Sequence, residues 1–279
     1  MSTIVFLHAH PDDESSLTAG MMSLASAAGH RVVVVYATGG EHGARPADLP
    51  DSVCTAEYRR GEAEASARVT GTARIVWLGY HDSGMSGWDQ NSAEGCLATA
   101  DAGEAARRLA DVLDAEDADV LVGYDHHGNY GHPDHVVVHD VGNRAAALAA
   151  RRPLLLEATR STDDMARLRS HPEVTGVARR MGVEGELTDE LWTSVTAGDD
   201  GLPMGVPDAE IAWAVELDEA TLALKRRAME CHSSQVDDIG MMLAMPPDLF
   251  RAMFGTEYLV DPRRGGPPER VHDLDRVLP

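Results

Sequence analysis

Apolar positions in the first half of the chain follow two alternating rhythms. Short runs rich in Val, Ile and Leu, at Thr3–His8, Arg31–Ala37, Arg74–Leu78, Val120–Gly123 and Leu154–Leu156, predict strands. Between them, Ser15–Ala28, Glu57–Thr70, Ala102–Ala115 and Asp134–Ala149 carry Ala, Leu, Val and Met at helical spacing. Gly29 and Gly71 follow two of these segments, where a left-handed residue ends a helix. Continuously apolar strands alternating with helices predict an α/β fold: a Rossmann-like, mainly parallel sheet with helices on both faces.

The second half is less periodic. Ile211–Leu217 reads as a strand and Glu219–Ser233 as a helix, whereas residues 157–210 mix short charged pieces with Gly and Pro. RRGGPPER, residues 263–270, reads as a mobile tail segment. The expected organisation is a Rossmann-like core over 1–156, with an irregular part over 157–279 completing the same domain and its substrate pocket.

Composition narrows the functional classes. A chain of 279 residues, 43% of them apolar, can bury a sizeable core without a disulfide or structural metal. A net charge of −22 argues against nucleic-acid or anionic-membrane partners, which need basic surfaces. Cys54, Cys96 and Cys231 are far apart and form no CxxC, which predicts reduced thiols in a cytoplasmic protein. The N-terminus lacks a basic leader pattern, and no run approaches the roughly 20 apolar residues of a membrane span. Nothing in the pattern specifies an oligomeric state.

In open parallel sheets, ligands bind beyond the carboxyl ends of the strands. Four predicted strands lead into polar loops at that edge. HAHPDDES (8–15) brings His10, Asp12, Asp13 and Glu14; ATGGEHG brings Glu41 and His42; LGYHDSGM brings Asp82; GYDHHGNYGHPDH brings His126, His127, Tyr130, His132, Asp134 and His135. Zinc takes imidazole and carboxylate ligands, and a catalytic site uses three and leaves a position for water. His10 and Asp13, three apart across a turn, can grip one ion, with His135 as the third ligand. Asp12 then lies beside a ligand yet free, suited to act as general base. His132, one helical turn before His135 if Pro133 opens a helix, would face the same ion without binding it. Fe²⁺ suits such a donor set as well as Zn²⁺.

Each motif has a plainer reading. HPDDE alone would serve as a capped helix start, and HPDH alone as a turn before a helix. Their placement at adjacent ends of one predicted sheet favours a metal site. His126 and His127 read equally as site wall or exposed loop. His8 alternates away from His10 and reads as a packed histidine, while His42 has no assigned role. No GxGxxG follows the first strand, which disfavours a nucleotide cofactor.

AHPDDE (9–14) together with HPDH (132–135) resembles the PIG-L/LmbE-like family of zinc-dependent N-deacetylases. That family includes deacetylases of glucosaminyl-inositol compounds in mycothiol synthesis and the mycothiol S-conjugate amidases. TGGE (38–41), YRRGEAEA (58–65), LGYHDSGM (78–85) and KRRAMECHSSQ (225–235) are similar to further blocks of the family, in the same order. The resemblance implies metal ligands His10, Asp13 and His135, general base Asp12, and an oxyanion-stabilising, protonated His132 oriented by Asp134. It also implies that Arg59 and Asp82 hold the sugar or inositol and that Tyr130 is a mobile active-site tyrosine. Arg59 alone would read as a surface arginine on a helix. Two positions depart from the family. Leu17 stands where the conjugate-amidase branch has a lysine, and His126 replaces a frequent proline; both bear on substrate choice.

The expected activity is hydrolytic removal of an acyl group, acetyl first, from the amine of a small N-acylated amino sugar. Alternatives are a mycothiol S-conjugate amidase, a deacetylase of a secondary metabolite, and a non-catalytic sugar- or metal-binding module. The presence of Asp12, which metal coordination does not require, speaks against the last.

Overall fold

The apolar runs form the middle of one eight-stranded sheet. A computed structural model describes residues 1–47, 49–180 and 188–279. The strands are β1 (Thr3–His8), β2 (Arg31–Thr38), β3 (Arg74–Tyr80), β4 (Val120–Tyr124), β5 (Leu154–Thr159), β6 (Trp213–Glu216), β7 (Thr256–Val260) and β8 (Glu269–Val271). They lie in the order β3-β2-β1-β4-β5-β7-β6-β8. The first five are parallel; β7 runs antiparallel to both β5 and β6, and β8 pairs parallel to β6.

Alternate side chains of these strands enter opposite faces. Ile4, Phe6, Val32, Val34 and Val122 belong to one buried cluster, and Val5, Leu7, Val33, Val35 and Leu121 to the other. Each fully buried aliphatic side chain contributes roughly 1.5–3 kcal/mol, so both faces demand a cover. The helices are α1 (Asp13–Leu17), α2 (Ala19–Ala27), α3 (Thr55–Thr70), α4 (Ala102–Ala115), α5 (Pro133–Leu148), α6 (Thr162–Leu168), α7 (Val174–Arg180), α8 (Asp189–Val195), α9 (Glu219–Glu230), α10 (Ile239–Leu243) and α11 (Pro247–Phe254). Met21, Met22, Ala63, Leu222 and Met229 bring α2, α3 and α9 onto the first face. Leu109, Leu113, Val138 and Val141 bring α4 and α5 onto the second.

Three expectations are corrected. The single helix expected over Ser15–Ala28 is two, parted at Thr18, whose φ of −132° leaves the helical region. Thr18 Oγ1 bonds His8 Nε2 at 3.0 Å, and the Gly20 and Met21 N–H groups donate to the Glu257 carboxylate at 2.8 and 2.7 Å. A buried carboxylate on β7 thus takes the free N–H groups that open α2. RRGGPPER is not a mobile tail. Arg264 stacks on Trp213 at 4.0 Å, and Glu269 and Arg270 start β8, in register with Trp213 and Ala214. Within 157–210, β5 continues to Thr159 and α6, α7 and α8 follow; positions 181–187 lie outside the described residues.

Strand order reverses direction at β1, which has β2 on one side and β4 on the other. The chain leaving β1 carries His10–Asp13, and the chain leaving β4 carries Asp125–His135. Both open into the crevice that such a switch point creates.

Candidate metal centre

β1 ends at His8, and the next residues turn sharply. Asp12 has φ of 116°, a region where non-glycine residues are rare. Holding it there costs on the order of 1–3 kcal/mol. The turn is fixed by its neighbours: the Asp12 N–H donates to Glu14 Oε2 at 2.9 Å, and Ser15 N–H donates to the Asp12 carbonyl at 2.9 Å. Asp12 precedes α1, yet its side chain caps nothing. The plain capped-helix reading of HPDDE therefore does not describe this carboxylate.

Across the crevice, His132 is the N-cap of α5, accepting the Asp134 N–H on Nδ1 at 3.1 Å, with Pro133 opening the helix. Gly128 has φ of +61°, and a Cβ there would stand 2.6 Å from the His135 backbone. This close approach lets the Gly128 carbonyl take the His135 Nδ1–H at 3.2 Å.

Three donor atoms meet between the two loops. His10 Nδ1 lies 3.6 Å from Asp13 Oδ2, His135 Nε2 lies 3.3 Å from the same oxygen, and the two ring nitrogens are 3.3 Å apart. Ligand atoms about 2.1 Å from a tetrahedral ion are separated by about 3.4 Å, so this triangle fits a zinc-sized cation. The tautomers suit the same use. His10 Nε2–H is taken by Asp134 Oδ2 at 3.0 Å, and His135 Nδ1–H by Gly128, leaving the inward nitrogens as acceptors. His10, His132 and His135 also present ring nitrogens within 4.8 Å of one another. Asp13 completes the tighter triangle, and Nδ1 of His132 is already engaged.

The electrostatics also call for a cation. All three of these side chains are buried, as are Asp82 and Asp134. Burial works against a charged His10, but the Asp82, Asp13 and Asp134 carboxylates outweigh it and raise its proton affinity well above the usual value. Asp13 stays ionised: despite burial, His135 and His10 hold it well below the usual carboxylate range. A divalent ion would replace the proton that these carboxylates otherwise draw onto His10.

Asp12 stands outside the triangle. Burial raises its proton affinity to about 7, against the pull of Arg59, whose Nη2 is 3.2 Å from Asp12 Oδ2. A general base works best near the ambient pH. Arg59 is buried rather than on the surface; it also donates to the Gly40 carbonyl at 2.8 Å and to the Pro11 carbonyl. Asp82 accepts N–H bonds from Gly84 at 2.8 Å and His42 at 3.0 Å, with His10 Nε2 at 3.5 Å. Tyr130 Oη lies 3.2 Å from His135 Nε2. His8 is packed between Tyr124 and Thr18, and burial pushes it down to about 4. His127 bonds Asp200 at 2.7 Å, and His126 is exposed.

Two details differ from the sequence reading. The Asp134 carboxylate does not reach His132; it takes His10 and the Ser83 N–H and Oγ, and only its backbone N–H holds His132. Nor is His132 an imidazolium, since burial beside His10 and His135 pushes it down to about 2. It is a neutral ring with Nδ1 accepting, so Nε2 carries the hydrogen.

The sequence reading gave Glu14 and His232 no roles. Glu14 accepts from Ser66 Oγ at 2.7 Å and pairs with His232 at 2.6 Å, bracing the strained turn from below. The KRRAMECHSSQ block was the available signal for His232. Ser234 of that block donates to Glu62 on α3 through N–H and Oγ, at 2.7 and 2.6 Å.

His10, Asp12, Asp13, Arg59, Asp82 and His132 face a cavity of about 440 Å³, within the range of small-ligand sites. Residues 5–146 match the family model PIG-L, GlcNAc-PI de-N-acetylase. The chain is 35% identical over 286 residues to the 1D-myo-inositol 2-acetamido-2-deoxy-alpha-D-glucopyranoside deacetylase of Streptomyces avermitilis, covering 95% of this chain and 94% of that protein.

This chain belongs to the PIG-L family.

A PIG-L relative of the same description from Thermomonospora curvata is 34% identical, covering 94% of this chain and 91% of its own. Among solved structures, a deacetylase bound to teicoplanin, from the teicoplanin biosynthesis pathway, shares the fold with a TM-score of 0.59. It is 15% identical and covers 93% of this chain and 98% of its own. Among the described residues no helix is long and apolar enough to cross a membrane.

Proposed function

We propose that this PIG-L protein is a metal-dependent amidohydrolase that removes an acetyl group from the amine of a glucosamine-type glycoconjugate. The near-equilateral triangle of His10 Nδ1, Asp13 Oδ2 and His135 Nε2 carries the reading. The curated relatives, named for an N-acetylglucosaminyl-inositol substrate, supply the substrate class. In this reading His10, Asp13 and His135 hold Zn²⁺ or Fe²⁺, either of which such donors accept.

When bound, the cation polarises the amide carbonyl and acidifies the attacking water. Asp12 takes the water's proton as the oxygen adds to the carbonyl carbon, then returns it to the leaving nitrogen. Arg59 keeps that carboxylate aimed into the cavity. His132 donates its Nε2–H to the oxygen on which charge develops, as a neutral donor held rigid by the Asp134 N–H. Asp134 fixes His10 through Nε2 and acts as a positioning residue. Arg59 and Asp82, already bound to backbone, contact the sugar only through the hydrogen-bonding capacity they have left. Tyr130, beside His135, closes over the acyl group. The unbridged Cys54, Cys96 and Cys231 support a reducing, cytoplasmic setting.

The test is acetate release by the metal-loaded protein from N-acetylglucosaminyl-inositol, compared with a bulky mycothiol S-conjugate. Release from the free glycoside supports the reading. Cleavage of the conjugate alone would replace it with the amidase activity, and cleavage of neither would favour a binding module.

A further inference from the structure

Past α8 the chain makes a short hairpin that leans on the turn carrying Tyr130. Ala197 and Pro203 pair as an antiparallel bridge, and the Gly198 N–H donates to the Leu202 carbonyl at 2.7 Å. Its root is tied to the end of β5. There the Val206 N–H donates to the Arg160 carbonyl at 2.9 Å, and the Thr162 N–H donates to the Val206 carbonyl at 3.0 Å. Ala197, Gly198, Asp199 and Met204 line the same cavity as Tyr130 and His132. The hairpin also reaches the loop after β3, where the Ser86 N–H donates to Asp199 Oδ2 at 2.5 Å.

That turn does not hold its shape alone. Gly128, Asn129 and Gly131 have φ of +61°, +69° and +79°, so three of the five residues 127–131 are left-handed. Such a backbone forms neither helix nor strand, and its polar groups need partners elsewhere. At its base, Asp125 Oδ1 takes the His127 and Asn129 N–H groups at 2.9 and 3.0 Å. From the hairpin, the Gly205 N–H donates to the Asn129 carbonyl at 2.6 Å and the Asp199 N–H to the Tyr130 carbonyl at 2.7 Å. One side-chain bond closes the contact. His127 Nε2–H donates to Asp200 Oδ2 at 2.7 Å, while Asp200 Oδ1 takes the Leu202 N–H at 2.9 Å within the hairpin. Two glycines permit the approach: a Cβ on Gly198 would stand 2.3 Å from the Tyr130 carbonyl oxygen, and one on Gly131 would stand 2.6 Å from Asp200 Cγ.

We infer that Asp200 is a positioning residue for Tyr130: through His127 it clasps the hairpin to the turn, and so fixes where the tyrosine hydroxyl stands in the cavity. This rests on the proposed deacetylase reading for what Tyr130 does to the substrate. Asp200 does not itself line the cavity. Its side chain bonds only His127 and its own hairpin, so it acts on the site through the turn. A hydrogen bond to a carboxylate is roughly twice as strong as one between neutral groups, which suits a single side-chain clasp.

Amide exchange and kinetics test the clasp and its consequence separately. Asp199 and Gly205 supply the N–H groups that hold the turn, so their hydrogen exchange in the zinc-loaded protein, followed by NMR, reports the contact itself. Asp200→Ala and His127→Ala should each speed that exchange by about tenfold or more. His127→Gln, whose amide can still donate to Asp200, should stay near wild type. In acetate release, Asp200→Ala should lower kcat by about tenfold while KM changes by less than about twofold and the zinc content is kept. In a Tyr130→Phe background, Asp200→Ala should cost almost nothing more, because the hydroxyl it positions is gone. Unchanged exchange at both amides in Asp200→Ala would overturn the clasp. A wild-type kcat in Asp200→Ala, or losses that multiply in the double variant, would overturn the positioning of Tyr130. Failure of the wild-type protein to release acetate from any substrate would count against the deacetylase reading alone, and the exchange rates would still decide the clasp.

Discussion

Nδ1 of His10 and Nε2 of His135 stand 3.3 Å apart although 125 residues separate them in the chain. Neither ring faces the other by accident. Asp134 holds the outer nitrogen of one, the Gly128 carbonyl holds that of the other, and both inner nitrogens turn towards Asp13 Oδ2.

Asp12 is the side chain beside the triangle with no place in it. Asp12→Ala should lower kcat by about 10²–10⁴, the range for loss of a positioned general base, while the purified variant keeps its metal. Elemental analysis with steady-state acetate release checks both halves, and near-normal turnover would remove Asp12 from the reaction.

The strained backbone at Asp12 gives a separate expectation. Its φ of 116° suits glycine better than alanine. Asp12→Gly should therefore be more stable than Asp12→Ala by roughly 1 kcal/mol. Denaturant unfolding of the two variants compares like with like, because both lose the contact with Arg59. Equal stabilities would mean that the turn relaxes once the side chain is gone.

His132 acts as a neutral donor, so a neutral replacement should preserve part of its function. His132→Ala should slow turnover by about 10²–10³, as for the loss of one oxyanion donor. It should also destabilise by about 1 kcal/mol through the lost α5 cap. His132→Gln, which can still donate, should retain more activity than Ala in the same acetate-release assay. Equal losses in the two variants would contradict a hydrogen-bonding role.

Sequence pattern was enough for the first five strands because each carries a Val/Ile/Leu run, buried on both faces in the inner strands, as Val32–Val35 illustrate, and half-buried in the edge strand β3. It missed β7 and β8 for a physical reason. TEYLV is short and directly follows a helix, and ERV sits among Gly, Pro and Arg; both become strands only by pairing with partners distant in sequence. At the site, residue type and spacing indicated which loops converge, but not hydrogen-bond direction. Asp134 is two residues from His132, yet the helix start points its carboxylate at His10 and offers His132 only the backbone N–H. Arg59 resembled a surface residue because nothing local reveals that Pro11 and Gly40 fold over it.

Lys225 and Glu257 are both about 1% exposed and bonded at 2.6 Å. Lys225→Met should destabilise by about 3–5 kcal/mol, because Glu257 is left charged and buried. Adding Glu257→Gln should recover part of this loss, since it removes the unpaired buried charge while the amide oxygen still accepts from one of the two N–H groups, Gly20 or Met21. Chemical denaturation of the single and double variants measures the coupling; a loss below about 1 kcal/mol for Lys225→Met would mean that water reaches the pair.

The central claim is that two remote loops share one divalent ion, and metal stoichiometry tests it most directly. Wild-type protein dialysed against limiting Zn²⁺ should retain one equivalent, and His10→Ala, Asp13→Ala and His135→Ala should each fall well below that. Retention of a full equivalent by either histidine variant, at wild-type affinity, would contradict the account.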